Sequence, residues 1–471
     1  MSFARILRSS ALMGGASVVT LGASLIRAKV IALLVGPAGV GLIGVLTSFN
    51  ANLASLVGWG LGATAVRTIS AADETDRPAK IAAVRKFGQL LSWLGLLVAL
   101  LLFWPVGLLT FKSSEYALEL FLAGLAVPCL ILTTMWSALL QSHGQIKALA
   151  KVQAFSALIG LGLGLPLIWF IGLPGIAASV LLAAAVPAVM TWKAASKHCL
   201  SSKASVASSD VRTLVQLGVG LMAVAVLGQI SAYIVRLILI RSHGLEAAGY
   251  YQAAFAIAGS LPGFVFAAMG TDFFPRVAAV KTEAEAQELC EKQIKAGLLL
   301  ALPLIACLLT LGQACIHLLY AKSFAPATPL LSWMIWGIFL RLLSWPMGYW
   351  LLARGALRAV VIVESAACIL ATLLPLILVP LYGITGAAIG FFIGYVAYAG
   401  IMLVVSRKRS GRWLSPGTLG WFALATALLG ASQFVVSRLD GQYWGVIPTG
   451  ALAMLCAWIY FHTLRRESTA L

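Results

Sequence analysis

Residues 29–41 read KVIALLVGPAGVG, an apolar run that ends in a Gly-Pro turn. The run extends back to about residue 10, and a second apolar stretch follows the turn from about residue 40 to residue 65. Each stretch is long enough to cross the hydrocarbon core of a bilayer, which needs roughly 20 residues. This segment therefore predicts two consecutive transmembrane helices, and the same pattern of runs and turns continues along the chain.

The composition agrees with a membrane protein. Of 471 residues, 61% are hydrophobic and only 10% are charged, whereas soluble domains have roughly 45–50% apolar and about 25% charged residues. The net charge of +18 does not indicate nucleic acid as a partner, because the basic residues are scattered in short loops rather than collected on one solvated face. The apolar runs also leave almost no room for a soluble catalytic domain.

We predict an all-α, polytopic fold with fourteen transmembrane helices. An N-terminal six-helix lobe takes residues 1–212, a C-terminal six-helix lobe takes 213–412, and a further two-helix hairpin with a tail takes 413–471. The spans are placed near 10–35, 40–65, 88–110, 119–141, 153–171, 175–192, 214–240, 249–270, 296–320, 328–352, 359–381, 385–405, 415–437 and 444–463.

The charges of the loops predict the orientation. With this placement, 25 of the 33 basic residues lie in alternate segments on one side and four lie on the other. Short loops rich in Lys and Arg face the cytoplasm. Both termini are therefore predicted to be cytoplasmic, in a bacterial inner membrane, and the first apolar run is interpreted as a retained helix rather than a signal peptide.

The sequence contains an internal repeat. The turn Gly36–Gly41 (GPAGVG) corresponds to Gly244–Gly249 (GLEAAG), and the turn from Gly172 (GLPG) returns 211 residues later from Gly383 (GITG). Six helices per copy is an even number, so the copies should cross the membrane in the same direction, related by a pseudo-two-fold axis along the membrane normal.

Four basic residues fall within the predicted spans, namely Arg27, Lys29, Arg236 and Arg341, against one acidic residue, Glu364, when Glu119 at the edge of its span is counted with the outer loop. A charge at mid-membrane costs about 2.5–3.5 kcal/mol on insertion scales, so such residues usually serve a function. An excess of cations indicates a water-filled cavity for an anionic ligand, and phosphate suits arginine well. Snorkelling to the surface, or for Arg341 bonding to helix carbonyls, is the alternative.

Two further features concern polar residues of the spans. Ser48, Asn52 and Ser55 share one face of the second helix, which suits either a hydroxyl-rich sugar or hydrogen bonds between helices.

Glu364 lies near the cytoplasmic end of its helix, where we expect a solvated carboxylate close to Arg354 and Arg358. The five histidines are far apart, so neither a metal site nor a cofactor is predicted.

The chain resembles the Wzx-type polysaccharide flippases of the multidrug/oligosaccharidyl-lipid/polysaccharide (MOP) exporter superfamily, especially O-antigen and enterobacterial-common-antigen translocases. The resemblance rests on KVIALLVGPAGVG, on Gly60-Leu-Gly62-Ala-Thr-Ala-Val-Arg67 and on the two sets of six helices. It implies two lobes in a V shape around a cationic cavity lined by helices 1, 2, 7 and 8. Arg27 is similar in position to a cavity arginine of the lipid II flippases, and Lys29 to a lysine of the common-antigen branch.

The resemblance also implies a substrate, an oligosaccharide on undecaprenyl diphosphate, which moves from the cytoplasmic to the periplasmic leaflet. Arg67 and Arg276 would line the cytoplasmic entrance, and the cations in the spans, with Asn52, would bind the substrate. Membrane lipids and glycan polymerase or ligase machinery are the other expected partners, and no enzymatic activity is expected. A lipid II-type flippase and a MATE-like drug or cation antiporter stay open as alternatives, although an antiporter needs carboxylates deep in the membrane.

Overall fold

A computed structural model of the protein describes residues 3–198 and 208–438 and four single positions, 447, 450, 451 and 454. Within these residues the chain forms fifteen α-helices and one short 3-10 helix, and it forms no strand. Eleven of the helices are long and apolar enough to cross a membrane. The predicted all-α, polytopic membrane fold is confirmed.

Nine helices begin in the first 250 residues: α1 (Phe3–Gly58), α2 (Leu61–Ser70), α3 (Arg77–Phe111), α4 (Ala117–Gly124), α5 (Ala126–Ser142), α6 (Ile146–Ile171), α7 (Leu173–His198), α8 (Ser208–His243) and α9 (Leu245–Ala279). The others are α10 (Glu283–Thr310), α11 (Gly312–Leu319), the 3-10 helix (Lys322–Phe324), α12 (Ala327–Ala353), α13 (Leu357–Tyr382), α14 (Thr385–Ser410) and α15 (Pro416–Arg438).

Helix α1 contains the Gly-Pro turn from which the prediction started. Gly36 has φ 64° and ψ −164°, and Pro37 follows it inside the helix. Glycine adopts this left-handed φ without the penalty that a Cβ brings, and proline cannot donate the next helical hydrogen bond. The helix is therefore broken at Gly36, and the first two predicted spans correspond to the helices on either side of this break, which we call the two limbs of α1.

The later helices agree approximately with the predicted count of fourteen spans. Helix α9 covers the eighth predicted span, and α15 covers the thirteenth. The predicted span 444–463 lies outside the described residues, apart from the four single positions.

By their internal contacts the residues form two units, Met1–Gly249 and Tyr250–Leu471. In the first unit α7 packs against α5 and α6, and α1 packs against α6 and α8. In the second unit α14 packs against α12 and α13, and α10 packs against α12 and α15. The predicted lobes 1–212 and 213–412 follow the sequence repeat instead and stay a prediction, since α8 makes its contacts in the first unit.

The repeat is visible in how neighbouring helices approach each other. A Cβ at Gly175 would lie 2.7 Å from the carbonyl carbon of Leu167, and one at Gly386 would lie 2.7 Å from the amide nitrogen of Val379. The turn glycine three residues earlier has φ 71° in the first copy and 60° in the second. The hairpins α6–α7 and α13–α14 thus share one turn and one close glycine contact.

A second glycine contact joins the two repeated turns to each other. A Cβ at Gly41 would lie 3.0 Å from the amide nitrogen of Gly249, and one at Gly249 would lie 2.7 Å from the carbonyl carbon of Pro37. The backbone carbonyl of Leu245 also occupies the space that a Cβ atom of Gly41 would need. Because Pro37 and Leu245 occupy equivalent positions in the repeat, the contact is reciprocal.

Large apolar side chains cover the outward faces of several helices. Trp93 is 71% exposed, Phe170 is 83% exposed and Leu381 is 69% exposed. Extended apolar surfaces of this kind are rare on soluble monomers. They are the surface expected of helices that face lipid.

Candidate functional site

Arg27 lies on the first limb of α1, nine residues before the kink at Gly36, which is about 13 Å along the helix. Its Nη2 donates a hydrogen bond of 3.2 Å to Ser179 Oγ on α7. Ser179 is buried and donates its own proton to the carbonyl of Ile176, which leaves the hydroxyl oxygen to accept from Arg27. A guanidinium has five N–H donors, and the other donors of Arg27 find no hydrogen-bond acceptor among the described residues.

Arg236, the repeat counterpart of Arg27, has different surroundings. It lies on α8 and is only 5% exposed. Its Nη1 donates a hydrogen bond of 2.7 Å to the carbonyl of Ala232, one turn earlier in the same helix. A backbone carbonyl thus takes part of the donor capacity of Arg236, and its predicted role in substrate binding stays a prediction.

Asn52 connects two helices. Its Nδ2 donates to the carbonyl of Ser48 at 2.8 Å and to the carbonyl of Gln229, on α8, at 3.1 Å. The Oδ1 atoms of Asn52 and of nearby Asn50 are buried without a hydrogen-bond donor in the part of the chain that the structure describes. Of the two predicted roles, the observed bond to Gln229 is the interhelical one, and the contact with a sugar stays a prediction.

Arg341 lies in the middle of α12. Its guanidinium lies over the ring of Phe266, 5.1 Å from the ring centroid, a cation–π contact. Over residues 3–198 and 208–438 the guanidinium makes no hydrogen bond and no ion pair, so the predicted alternative of bonding to helix carbonyls is not what the structure shows. Arg341 therefore keeps its donors for another partner.

The remaining predicted residues lie nearer the surface or make other contacts. Lys29 is half-buried on α1. Arg67 is exposed in the last turn of α2, and Arg276 is exposed in the last turn of α9. Exposure at helix ends suits the predicted entrance, which stays a prediction.

Sequence reasoning missed a set of contacts that hold α8 in the first unit. Trp59 Nε1 donates to the carbonyl of Val215 at 3.2 Å, and the hydroxyls of Thr110 and Tyr233 lie 2.6 Å apart. Arg241 Nε donates to the carbonyl of Leu109 at 2.7 Å, and its Nη2 bonds the same oxygen. Of these residues only Trp59 stands out in the sequence, because a tryptophan between two glycines is unusual in a span.

The structure also gives Glu364 a partner that the sequence did not predict. Tyr398 Oη, on α14, donates a hydrogen bond of 2.7 Å to Glu364 Oε1, on α13. Arg354, expected near this carboxylate, instead lies 3.3 Å from Glu283 Oε1 and donates to the carbonyl of Val280. Glu364 is thus paired with a neutral hydroxyl.

The fold and the charges together define a class, a polytopic helical membrane protein with arginines inside its spans. A family model described as "Polysaccharide biosynthesis protein" matches residues 6–281, which is more than half of the chain. The chain belongs to this family. A comparison with curated protein sequences finds no match.

Several solved structures have the same fold. The lipid II flippase MurJ in an inward-closed conformation has a TM-score of 0.77 at 14% identity, covering 97% of this chain and 99% of that chain. A MOP superfamily transporter from Pyrococcus furiosus has a TM-score of 0.63 at 16% identity, covering 86% and 95%. The MATE multidrug transporter DinF-BH has a TM-score of 0.57 at 17% identity, covering 87% and 97%.

These likenesses show the fold, which the chain shares with solved transporters of the MOP superfamily. The predicted resemblance is confirmed at the level of the polysaccharide biosynthesis family and of this fold. The narrower resemblance to common-antigen translocases stays a prediction.

Proposed function

We propose that the protein is a flippase that moves an oligosaccharide linked to undecaprenyl diphosphate, an O-antigen or related repeat unit, from the cytoplasmic to the periplasmic leaflet. It would work by alternating access in a bacterial inner membrane, with both termini in the cytoplasm. The family, which is one of polysaccharide biosynthesis proteins, and the MOP fold support a lipid-linked glycan as the substrate.

The observation that carries the proposal is Arg27. Arg27 lies nine residues, about 13 Å along the helix axis, before the break at Gly36, and its guanidinium makes one hydrogen bond of 3.2 Å, to Ser179. A charge kept at such depth costs about 2.5–3.5 kcal/mol, and one bond to a neutral hydroxyl recovers only part of this. A diphosphate would supply charge-assisted, bidentate acceptors for the unused donors, which makes Arg27 a binding residue rather than a packing residue.

The charges also suggest the direction of transport. The diphosphate would pass Arg67 and Arg276, bind the intramembrane arginines, and leave on the other side while its polyprenyl tail stays in lipid. An inside-negative potential favours export of an anion by about 2.3 kcal/mol per charge per 100 mV. Binding and release need no covalent step, so no catalytic residue is required.

Deletion of the gene, followed by identification of the undecaprenyl-linked glycan that accumulates in the cytoplasmic leaflet, tests the proposal. Complementation with Arg27→Ala should leave export at background although the protein inserts normally, and Ser179→Ala should reduce export in part. Ser24→Ala is the matched control, because Ser24 lies on the same limb and bonds only its own helix, at Thr20. Wild-type export by the Arg27→Ala protein would contradict the assignment.

A lipid II-type flippase is the second candidate, since the MurJ structure matches nearly the full length of both chains. Accumulation of lipid II in the deletion strain, rather than of a surface glycan, would favour it. A MATE-like antiporter would instead show as sensitivity of that strain to dyes or antibiotics.

A further inference from the structure

The junction between α14 and α15 has a group of four basic residues, which we name the junction cluster: Arg407, Lys408, Arg409 and Arg412. The first three lie in the last turn of α14, and the fourth follows the turn glycine Gly411. Over residues 3–198 and 208–438 none of the four side chains forms an ion pair or a hydrogen bond. The sequence has no acidic residue between Glu364 and Asp440. The cluster therefore presents unpaired positive charge at the end of a helix.

Trp413 adds an aromatic side chain to the junction cluster. It is 50% exposed, and the guanidinium of Arg407 lies over its ring, 4.5 Å from the ring centroid. The next residue, Leu414, is buried, so the chain is packed at Leu414 while Trp413 stays at the surface. A tryptophan with an apolar body and a polar N–H is typical of the interface between lipid tails and headgroups.

Hydrogen bonds from α10 hold this part of the chain in place. Gln287 Nε2 donates to the carbonyl of Trp413 at 2.8 Å, and Glu291 Oε1 accepts from the backbone N–H of Ser415 at 3.0 Å. The other oxygen of Glu291 accepts from the hydroxyl of Thr418 at 2.7 Å. The backbone beside the cluster is thus fixed without a ligand, and an ordered surface loses less conformational freedom on binding.

Apolar surface continues from the junction cluster along both helices. Val404 is 45% exposed and lies one turn before Arg407 and Lys408 on the same face of α14. Leu419, in the first turn of α15, is 43% exposed. Both helices are long and apolar enough to cross a membrane. Lipid tails cover such a surface, and the headgroups of the same lipids lie where the helices end.

We propose that the junction cluster binds the headgroup of an anionic glycerophospholipid of the surrounding bilayer, such as phosphatidylglycerol. Clusters of basic residues next to a membrane helix attract anionic lipids, and guanidinium groups make charge-assisted, bidentate bonds to phosphate. A lipid fits better than a soluble anion because the cations adjoin apolar surface and an exposed tryptophan. The inference does not depend on the proposed substrate, and it gives the segment between the repeat and α15 a role in lipid recognition.

Lipid titration of the full-length protein in detergent micelles, followed by native mass spectrometry, tests the inference. Phosphatidylglycerol and phosphatidylcholine are the probes, because both contain a phosphate and two tails but only the first has a net negative charge. The wild type should bind phosphatidylglycerol at least about tenfold more tightly, since each basic residue near an anionic partner contributes about fivefold and salt screens part of this. Replacing all four cluster residues with glutamine should remove the preference.

Single substitutions show whether the effect belongs to this place. Arg412→Gln should weaken phosphatidylglycerol binding about fivefold. Lys292→Gln is the matched control, because it also removes one positive charge, from a lysine that is paired with Glu288 at 2.8 Å, and it should bind like the wild type. Gln287→Ala keeps every cation but releases the carbonyl of Trp413, and it should weaken binding about twofold through lost preorganisation.

Equal affinity of the wild type for the two lipids would overturn the inference, as would a preference that persists in the fourfold variant or an equal loss in Arg412→Gln and Lys292→Gln. Free sn-glycerol 3-phosphate should not displace the lipid at equal concentration, and displacement would indicate a site for soluble phosphate instead. If the cations served only the dipole of α14, the fourfold variant would melt at a lower temperature with an unchanged lipid preference. Arg412→Gln, a single exposed substitution, decides the matter if the fourfold variant does not fold.

Discussion

Alanine at Gly41 or at Gly249 is expected to destabilise the first unit, because the backbone of the other turn occupies the space that a methyl group needs. A Cβ at Gly249 would lie 2.7 Å from the carbonyl carbon of Pro37, and one at Gly41 would lie 3.0 Å from the amide nitrogen of Gly249. Ordinary contacts begin at 3.4 Å. Each substitution must therefore separate the turns by roughly 1 Å, and overpacking of this kind costs about 1–3 kcal/mol.

Thermal unfolding of the purified protein in detergent, followed by tryptophan fluorescence, measures this cost. We expect the melting temperature to fall by about 2–10 °C for either variant. Gly22→Ala is the matched control on the same helix, since no atom lies within 4 Å of its Cβ. The double variant should lose less than the sum of the single losses, because turns already separated accommodate the second methyl group. Fully additive losses, or a Gly41→Ala protein as stable as the control, would refute the reciprocal contact.

Two further substitutions test contacts that the sequence did not reveal. Trp59→Phe removes the hydrogen bond to the carbonyl of Val215 and should cost about 1 kcal/mol, seen as faster hydrogen exchange at the start of α8; unchanged exchange there would contradict the contact. Glu291, on α10, accepts a hydrogen bond of 3.0 Å from the backbone N–H of Ser415, directly before α15. Glu291→Ala should lower the melting temperature by several degrees, since a charged hydrogen bond contributes about 1.5–3 kcal/mol. Glu288→Ala is the control, because Glu288 makes only an exposed pair with Lys292, worth at most about 0.5 kcal/mol; an equal loss in both variants would show that Glu291 does not hold the start of α15.

The fold was largely predictable because its determinants are local. A run of about 20 apolar residues must become a helix in lipid, where every backbone polar group needs an internal partner, and the basic residues mark the loops. What local reasoning could not show is the backbone conformation at the break between the first two helices, where Gly36 has φ 64° and ψ −164°. The close approach of Gly41 to Gly249 was also hidden, because it joins turns that are about 200 residues apart in sequence.

The candidate site was predictable only as a set of charges. A charged residue in an apolar run is visible in the sequence, and so is its need for a partner. The partner itself comes from another helix, as Ser179 does for Arg27 and Tyr398 does for Glu364. For Glu364, proximity along the chain predicted the wrong partner, because Arg354 forms its ion pair with Glu283 instead.

The repeat provides a symmetric frame, yet the intramembrane charges break that symmetry. Arg27 and Arg236 occupy equivalent positions, but the first bonds a side chain and keeps unused donors, while the second is buried and bonds its own helix. In the second unit the arginine with unused donors is Arg341, which has no counterpart in the first copy. The repeat thus keeps the turns and the close glycine contacts equivalent, while the partners of its charges differ between the copies.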